Sequence, residues 1–240
     1  MTALSTITAP TPHVAAPPRR GTPPLVAGDR LTRDEFLRRY KAMPHLNKAE
    51  LIDGRVYMPP ISHEGHSGPT SDLGYWLASY RIATPGVDSG DNGTVLLDLD
   101  NAPQPDNYLF VRPEHGGQVE IDADGFIDGG PELVAEVAAT SASYDLHEKL
   151  HAYRRNGVKE YIVLRTRDRA LDWFILRGSV YERLEPGEDG IHRSETFPGL
   201  WLDAAALIGR DMKRVSDMGA LGLASDKHGE FIKTLPPAKS

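Results

Sequence analysis

The sequence contains no cysteine among its 240 residues. This absence excludes disulfide bonds, thiolate nucleophiles and zinc sites with cysteine ligands. The sequence also lacks any run of about 18 apolar residues, so we expect no membrane-spanning helix. Its first residues contain several prolines where a signal peptide would have an apolar stretch. A cytoplasmic protein that does not contact a membrane is therefore expected.

Several sequence patterns of common enzyme classes are missing as well. The chain has no glycine-rich P-loop, no dinucleotide-binding fingerprint and no Gly-x-Ser-x-Gly nucleophile elbow. His63 and His66 are three residues apart beside glycine and proline, whereas the zinc-protease pattern places its histidines four apart on a helix. We therefore do not predict a zinc protease.

Basic charge is scarce overall. The 34 acidic residues outnumber the 27 Lys and Arg residues, which gives a formal net charge of −7. Such a balance is unusual for a protein that binds nucleic acid. The distribution is uneven, however, because residues 84–136 hold twelve acidic residues and one basic residue, whereas residues 145–183 hold nine basic residues and six acidic ones. The second segment could follow a phosphate backbone, although a modest excess of this kind is more often ordinary surface.

The sequence divides into three parts. Residues 1–28 are rich in Pro, Ala and Thr and are predicted to be disordered, because they offer too little apolar surface to offset the entropy of ordering. Residues 30–210 alternate between strand and helix patterns and predict one α/β domain. Residues 211–240 are polar and predict a C-terminal tail with weak helical character.

Local signals predict where the elements of this domain begin and end. Thr32 with Glu35 three residues later is a capping box at a helix start, and Asp145 with Glu148 has the same pattern. Asp53-Gly54 predicts the turn of a hairpin. Further elements predicted from apolar spacing are a helix over 72–82, strands at 95–97, 108–111 and 133–138, and a meander of strands from residue 161.

Two acidic residues interrupt apolar surroundings. Asp106 follows Pro105 and opens an apolar strand, although a Pro-Asp pair is also common in structural turns. Glu136 lies within a strand that is apolar on both faces, where an unpaired carboxylate is costly. Two converging carboxylates make a site for a hard divalent cation. Glu132, at the start of the same strand, is interpreted as a rim residue.

Lys149 lies one turn into the helix that follows this strand. An exposed helix lysine is the more frequent situation, but this helix can return a long side chain towards the strand's C-terminal end, where ligands gather in such sheets. A lysine beside a metal can stabilise charge or help to generate hydroxide from a metal-bound water. His66 could contact phosphate or substrate, and Glu50 on its own is typical of a strand-edge surface charge.

Taken in order, these motifs resemble the Uma-two family of restriction endonucleases, within the PD-(D/E)xK nuclease superfamily. The resemblance covers roughly residues 30–208 and rests on Glu50–Gly54, His66, Pro105-Asp106, Pro131–Val137 and Tyr144–Tyr161. It implies a restriction-endonuclease-like α/β core, with a central mixed sheet flanked by helices, and metal-dependent hydrolysis of DNA phosphodiester bonds. By the same resemblance Asp106 and Glu136 bind Mg²⁺ (or Mn²⁺), Glu50 supports the metal, and Lys149 is the active-site lysine.

One departure from the superfamily signature leaves alternatives open. The lysine usually lies two residues after the strand glutamate, and this position is Ala138 here, so the helix must supply Lys149 instead. A first alternative is a catalytically weak or inactive nuclease-fold module that binds nucleic acid or a protein partner. A second is a glycosidase with two carboxylates as its acid and base, which leaves Lys149 unexplained. Cutting both DNA strands calls for two active sites, so a homodimer is expected.

Overall fold

A computed structural model gives the fold over residues 21–59, 62–139 and 141–237. The strands are β1 (Glu50–Ile52), β2 (Arg55–Tyr57), β3 (Val87–Gly90), β4 (Val95–Leu96), β5 (Asn107–Val111), β6 (Glu120–Ile121), β7 (Ile127–Asp128), β8 (Leu133–Ala138), β9 (Glu160–Arg165), β10 (Ala170–Arg177), β11 (Val180–Arg183), β12 (Ile191–Arg193) and β13 (Trp201–Asp203). The α-helices are α1 (Arg33–Lys41), α2 (Gly68–Ala83), α3 (Ala142–Tyr144), α4 (Leu150–Arg155), α5 (Ala204–Gly209), α6 (Met212–Leu223) and α7 (Asp226–Thr234), with π-helical turns at His63–Ser67 and Asp145–Lys149 and a 3₁₀ turn at Pro113–His115.

A six-stranded mixed sheet forms the centre of the fold, with the strand order β11-β10-β9-β8-β5-β3. Strands β8 and β9 pair in parallel, and the other neighbouring pairs of this sheet are antiparallel. The connection between the parallel strands contains α3, the second π turn and α4, as a parallel crossover usually contains a helix. The predicted α/β class with a central mixed sheet flanked by helices is therefore confirmed.

Both faces of β8 are buried, which explains its continuous apolar sequence. Leu133, Ala135 and Val137 point to a core that α2 and the C-terminal helices cover. Val134 and Ala138 point to the opposite core, which contains Tyr153 of α4. Because side chains alternate along a strand, Glu136 projects to the second face, beneath α4.

The predicted N-terminal elements of the domain are present. The Thr32 side chain accepts a hydrogen bond from the Glu35 backbone N–H at the start of α1. Asp53 and Gly54 both have positive φ, 46° and 71°, which is the two-residue turn that joins β1 to β2 in a hairpin. Leu25 is buried with this hairpin, although it lies in the segment 1–28 that the sequence predicts to be disordered; residues 1–20 lie outside the described residues.

The C-terminal segment differs from the polar tail that the sequence predicted. Helices α6 and α7 form there, and each begins with a side-chain cap, from Asp211 and Ser225 respectively. Val215 and Met218 are buried, because their spacing on α6 presents one apolar stripe to the core. In the part of the chain that the structure describes, no helix combines the length and the apolar character needed to cross a bilayer.

Candidate active site

The five side chains singled out from the sequence line one cleft of about 950 Å³ at the C-terminal end of β8. They come from five separate segments, namely the start of β1, the first π turn, the residue before β5, the middle of β8 and the second π turn. These residues are Glu50, His66, Asp106, Glu136 and Lys149. Residues that are distant in the sequence therefore meet in one place.

Strand pairing brings the two proposed metal ligands together. Asn107 of β5 is paired with Ala135 of β8, so the residues just beyond this pair, Asp106 and Glu136, are neighbours. The Val137 backbone N–H donates to Asp106 Oδ2 at 2.9 Å, and the Asp106 N–H donates to Glu136 Oε2 at 3.4 Å. Both side chains are about 98% buried, so their geometry is fixed by the sheet.

Lys149 reaches the strand glutamate from the helix. Its Nζ lies 2.9 Å from Glu136 Oε1, 2.9 Å from Glu50 Oε1 and 3.7 Å from Asp145 Oδ1. The Tyr153 hydroxyl adds a hydrogen bond of 2.8 Å to Glu136 Oε1. The lysine side chain is only 4% exposed, so it points into the site and not to solvent. Glu136, which would be costly to bury unpaired, therefore has both a cation and a hydroxyl donor as partners.

The helix carrying Lys149 starts earlier than the sequence predicted. Asp145 was expected to be its N-cap, but the helix begins at Ala142, and Asp145 is a buried residue of a π-helical turn. A π turn is rare, and such turns are frequent at functional sites. Asp145 and Lys149 are four residues apart and lie on the same inner face, where the two side chains form an ion pair.

Lys48 is a site residue that sequence reasoning missed. Its ammonium lies 2.7 Å from Asp106 Oδ1, and its side chain is 7% exposed. His66 Nε2 contacts the other oxygen, Asp106 Oδ2, at 3.0 Å. Because a carboxylate only accepts hydrogen bonds, Nε2 carries the proton in this contact. A lysine in an irregular segment before a short strand has no sequence signal that separates it from a surface lysine.

Their surroundings shift the pKa values of Asp106 and Glu136 in opposite directions. Burial opposes ionisation of Asp106, but the hydrogen bond from His66 and the charge of Lys48 outweigh it and hold the pKa of Asp106 below its usual range. Burial and the neighbouring charges of Asp106 and Glu50 raise the pKa of Glu136 and Lys149 lowers it, with a net value of about 8. Burial also acts against the charged form of Lys149, yet the adjacent carboxylates raise its pKa well above the usual value. Lys149 is therefore a permanent cation at neutral pH.

Two further buried groups face the cleft with polar atoms that have no hydrogen bond among the described residues. They are the Tyr144 hydroxyl and Asp145 Oδ2. The Tyr144 ring packs on Tyr57 with 4.3 Å between ring centroids, and burial raises the pKa of Tyr144. No local sequence pattern marks either residue as a participant in chemistry.

Other residues considered in the sequence lie outside the cluster. Glu132 was interpreted as a rim residue, but it is buried at the opposite end of β8 and accepts backbone hydrogen bonds from Val111 and Gln118. His63 lines the outer cleft and contacts Ser67 Oγ at 3.2 Å. Neither residue contacts Asp106 or Glu136 in the described part of the chain.

The donor set of the cleft fits a hard divalent cation. Four buried carboxyl groups (Glu50, Asp106, Glu136 and Asp145) share the cleft with two lysines, so acidic groups outnumber the lysines. No group of three or more His, Cys, Asp or Glu within the described residues is arranged to hold a metal, since lysines and His66 contact the carboxylate oxygens. Mg²⁺ usually takes only one or two carboxylates together with water and phosphate, so the pair Asp106 and Glu136 suffices.

Comparison with known proteins assigns the chain to a family. The family Uma2, described as putative restriction endonuclease, matches residues 33–205. The chain belongs to the Uma2 family. That match contains every site residue named above, and it ends before α6 and α7. The predicted family is thereby confirmed.

A solved structure extends the comparison to three dimensions. The chain is similar to a putative nuclease from Anabaena variabilis, with a TM-score of 0.51 and 16% sequence identity over 74% of this chain and 99% of that one. At this identity the likeness shows that the two chains share a fold. No curated protein matches the chain.

Proposed function

We propose that this Uma2 protein is a divalent-metal-dependent endonuclease of the PD-(D/E)xK type that hydrolyses phosphodiester bonds of DNA. The observation that carries the proposal is the meeting of Asp106, Glu136 and Lys149 in one cleft. Their two linking contacts are 2.9 Å between Lys149 Nζ and Glu136 Oε1 and 3.4 Å between Asp106 N and Glu136 Oε2. Carboxylates and a fixed ammonium are the groups that metal-assisted phosphodiester hydrolysis requires.

Asp106 and Glu136 would hold the metal, Mg²⁺ or Mn²⁺, with Glu50 as a supporting carboxylate. A bound Mg²⁺ would supply a Lewis acid that polarises a phosphate oxygen and lowers the pKa of a coordinated water. The raised pKa of Glu136, about 8, favours this reading, because a cation would remove the cost of ionising a carboxyl among other carboxylates.

Lys149 would stabilise negative charge that develops on the phosphate. Its pKa is raised, so it keeps its proton, and a role as the base that deprotonates water is disfavoured. Its contacts with Glu50 and Glu136 would fix the ammonium near the reacting phosphorus. A preorganised charge of this kind needs no reorganisation during the reaction.

The family description as a restriction endonuclease favours DNA as the substrate, and an exposed cation at the rim of the cleft fits a nucleic acid in general. Arg167, in the loop after β9, lines the cleft together with the Thr166 side chain. An exposed arginine beside a metal site can neutralise phosphates flanking the cleaved bond. Comparison of duplex DNA with duplex RNA as substrates tests this choice.

The test is cleavage of plasmid and linear DNA by the purified protein with Mg²⁺, Mn²⁺ or EDTA. We expect cleavage with either metal, none with EDTA, and none for Asp106→Ala and Glu136→Ala. Glu120→Ala, which changes an exposed carboxylate on β6, is the matched control and should retain full activity. Full activity of both site variants would contradict the assignment.

A module that binds without cutting is the second candidate function. It is favoured by the pairing of both lysines with carboxylates, at 2.7 Å for Lys48 and 2.9 Å for Lys149, which leaves neither ammonium free. Binding of DNA that is unaffected by EDTA and unaccompanied by cleavage would support it. The expected homodimer is tested by sedimentation of the protein with and without DNA.

A further inference from the structure

Lys48 is buried in the cleft and occupies one oxygen of a proposed metal ligand. We propose that Lys48 is a tethered cation that competes with the divalent metal for Asp106, and that metal binding releases its ammonium into the cleft. This inference rests on the proposed metal site and adds a role for a residue outside the predicted set.

The two oxygens of Asp106 have different partners. Oδ2 accepts from the Val137 backbone N–H at 2.9 Å and contacts His66 Nε2 at 3.0 Å. Oδ1 contacts Lys48 Nζ at 2.7 Å and has no second donor among the described residues. A metal that binds Asp106 therefore needs Oδ1, because Oδ2 already has two donors. Lys48 stands at the position that the metal would use.

The two buried lysines differ in how they are held. Lys149 is enclosed by Glu50, Glu136 and Asp145, so a single lost contact would not free it. Lys48 has one carboxylate partner and a long contact of 3.4 Å to Asn92 Oδ1. A divalent cation on the same carboxylate would repel the ammonium. Lys48 is therefore the lysine whose ammonium a bound metal would displace.

The cleft gives Lys48 space to move. Its side chain lines the 950 Å³ cavity, and a lysine ammonium sits on a flexible four-carbon stem. An ammonium released beside the metal would be free to contact a substrate phosphate oxygen, which lysine binds as a point charge. Lys48 would thus pair with Asp106 when no metal is bound, and with a substrate phosphate when the metal is bound.

Chemical labelling of the unmodified protein provides the first test. Lysine acetylation is followed by mass spectrometry with and without Mn²⁺, after calorimetry has established the saturating concentration. We expect Lys48 to be protected without metal and to become reactive with it, towards the level of Lys213, whose side chain is 83% exposed. Lys149 should stay protected in both states. Unchanged protection of Lys48 at saturating Mn²⁺ would overturn the inference.

The affinity for Mn²⁺, measured by calorimetry without substrate, provides the second test. Lys48→Met should bind Mn²⁺ about tenfold more tightly than the unchanged protein, which corresponds to about 1.4 kcal/mol. Lys48→Arg keeps the charge and should show no gain. Arg167→Met removes a cleft cation that does not contact Asp106, so it controls for general electrostatics and should change the affinity less than twofold, by about 0.4 kcal/mol at most.

The outcomes separate this inference from the proposed function. Equal Mn²⁺ affinity in Lys48→Met and the unchanged protein would overturn the competition while leaving the metal site intact. An equal gain in Lys48→Met and Arg167→Met would also overturn it, because charge alone would then explain the effect. Absence of Mn²⁺ binding in every variant would contradict the metal site itself and this inference with it.

Discussion

Two buried glutamates on neighbouring parallel strands have opposite surroundings. Glu160 at the start of β9 is fully buried and accepts hydrogen bonds from Trp173 Nε1, Ser194 Oγ and the backbone N–H groups of Glu195 and Thr196, at 2.7–2.9 Å. Glu136 on β8 instead contacts a lysine and a tyrosine, and it faces a cleft with other carboxylates. The donors to Glu160 are neutral and reach both of its oxygens. The groups around Glu136 include several acidic side chains that the nearby lysines do not fully neutralise.

This difference distinguishes a carboxylate that stabilises the fold, Glu160, from one that can take part in ligand binding, Glu136. Neutral donors that surround a single carboxylate fasten the loop at 194–197 to the sheet and leave nothing for a ligand. A carboxylate that shares cations with three others is poised for a further cation, because the cluster is under-neutralised. Burial alone, which is nearly equal for Glu136 and Glu160, does not distinguish the two roles.

The largest expected effect is on catalysis. Glu136→Gln should lower DNA cleavage by at least about 10³-fold, since it removes a charged ligand from the reacting centre. Glu160→Gln, matched in chemistry, lies outside the cleft and should stay within about tenfold of full activity. Cleavage rates at saturating Mg²⁺ measure both. Equal losses would remove the distinction between the two glutamates.

The free energy of unfolding should depend more on Glu160 than on Glu136, which reverses their order of importance for cleavage. Glu160→Ala leaves four donors without an acceptor and should lower the free energy of unfolding by about 3 kcal/mol. Glu136→Ala in EDTA should lower the free energy of unfolding by less, because Lys149 retains its ion pairs with Glu50 and Asp145. Urea unfolding followed by circular dichroism measures both losses. A larger loss for Glu136→Ala would show that its ion pair is structural.

The pH dependence of stability should single out Glu136. Its folded pKa, about 8, lies above the unfolded value of 4.5, so its stabilising contribution is complete below pH 4.5 and is lost as pH rises to 8. Between these limits the metal-free protein should lose stability relative to Glu136→Gln, with a slope of at most about 1.4 kcal/mol per pH unit. Urea unfolding at pH 5, 6, 7 and 8 in EDTA checks this. A constant difference would contradict the raised pKa.

The smallest effect concerns the tyrosine hydroxyls beside the site. Tyr144→Phe removes a hydroxyl without a hydrogen bond and should change the free energy of unfolding by less than about 0.5 kcal/mol. Tyr153→Phe removes the 2.8 Å hydrogen bond to Glu136 and should cost about 1.5–3 kcal/mol. Thermal or urea unfolding in EDTA compares the pair. Equal losses would indicate that Tyr144 has a partner.

Much of the site could be predicted because one of its charged residues lies in an apolar stretch of sequence. Glu136 within an apolar strand needs a cation or strong hydrogen-bond donors, and the helix that follows the strand can supply them. The structure brings Glu50, His66 and Asp106 to the same place, as the ordered motifs of the family resemblance indicated. The metal and the roles of these residues stay predictions.

The remainder depends on tertiary contacts that the sequence does not encode locally. Lys48 lies in an irregular segment and acquires its role only when β5 and β8 bring Asp106 to it. Asp145 has the spacing of a helix cap, but the helix starts three residues earlier and the side chain turns inward. Helices α6 and α7 do have local caps in Asp211 and Ser225, but the packing of Val215 on the core depends on tertiary contacts.

The π-helical turn at Asp145–Lys149 makes the cleft sensitive to chain length. A π turn holds one residue more than an α-helical turn, and each residue of an α-helix advances the side-chain direction by about 100°. Deletion of the exposed His147 would leave Asp145 and Lys149 three residues apart, a spacing that keeps both on one face of an α-helix but changes the angle between their side chains. The loss of one exposed residue would therefore alter the Asp145–Lys149 contact without removing any side chain that lines the cleft.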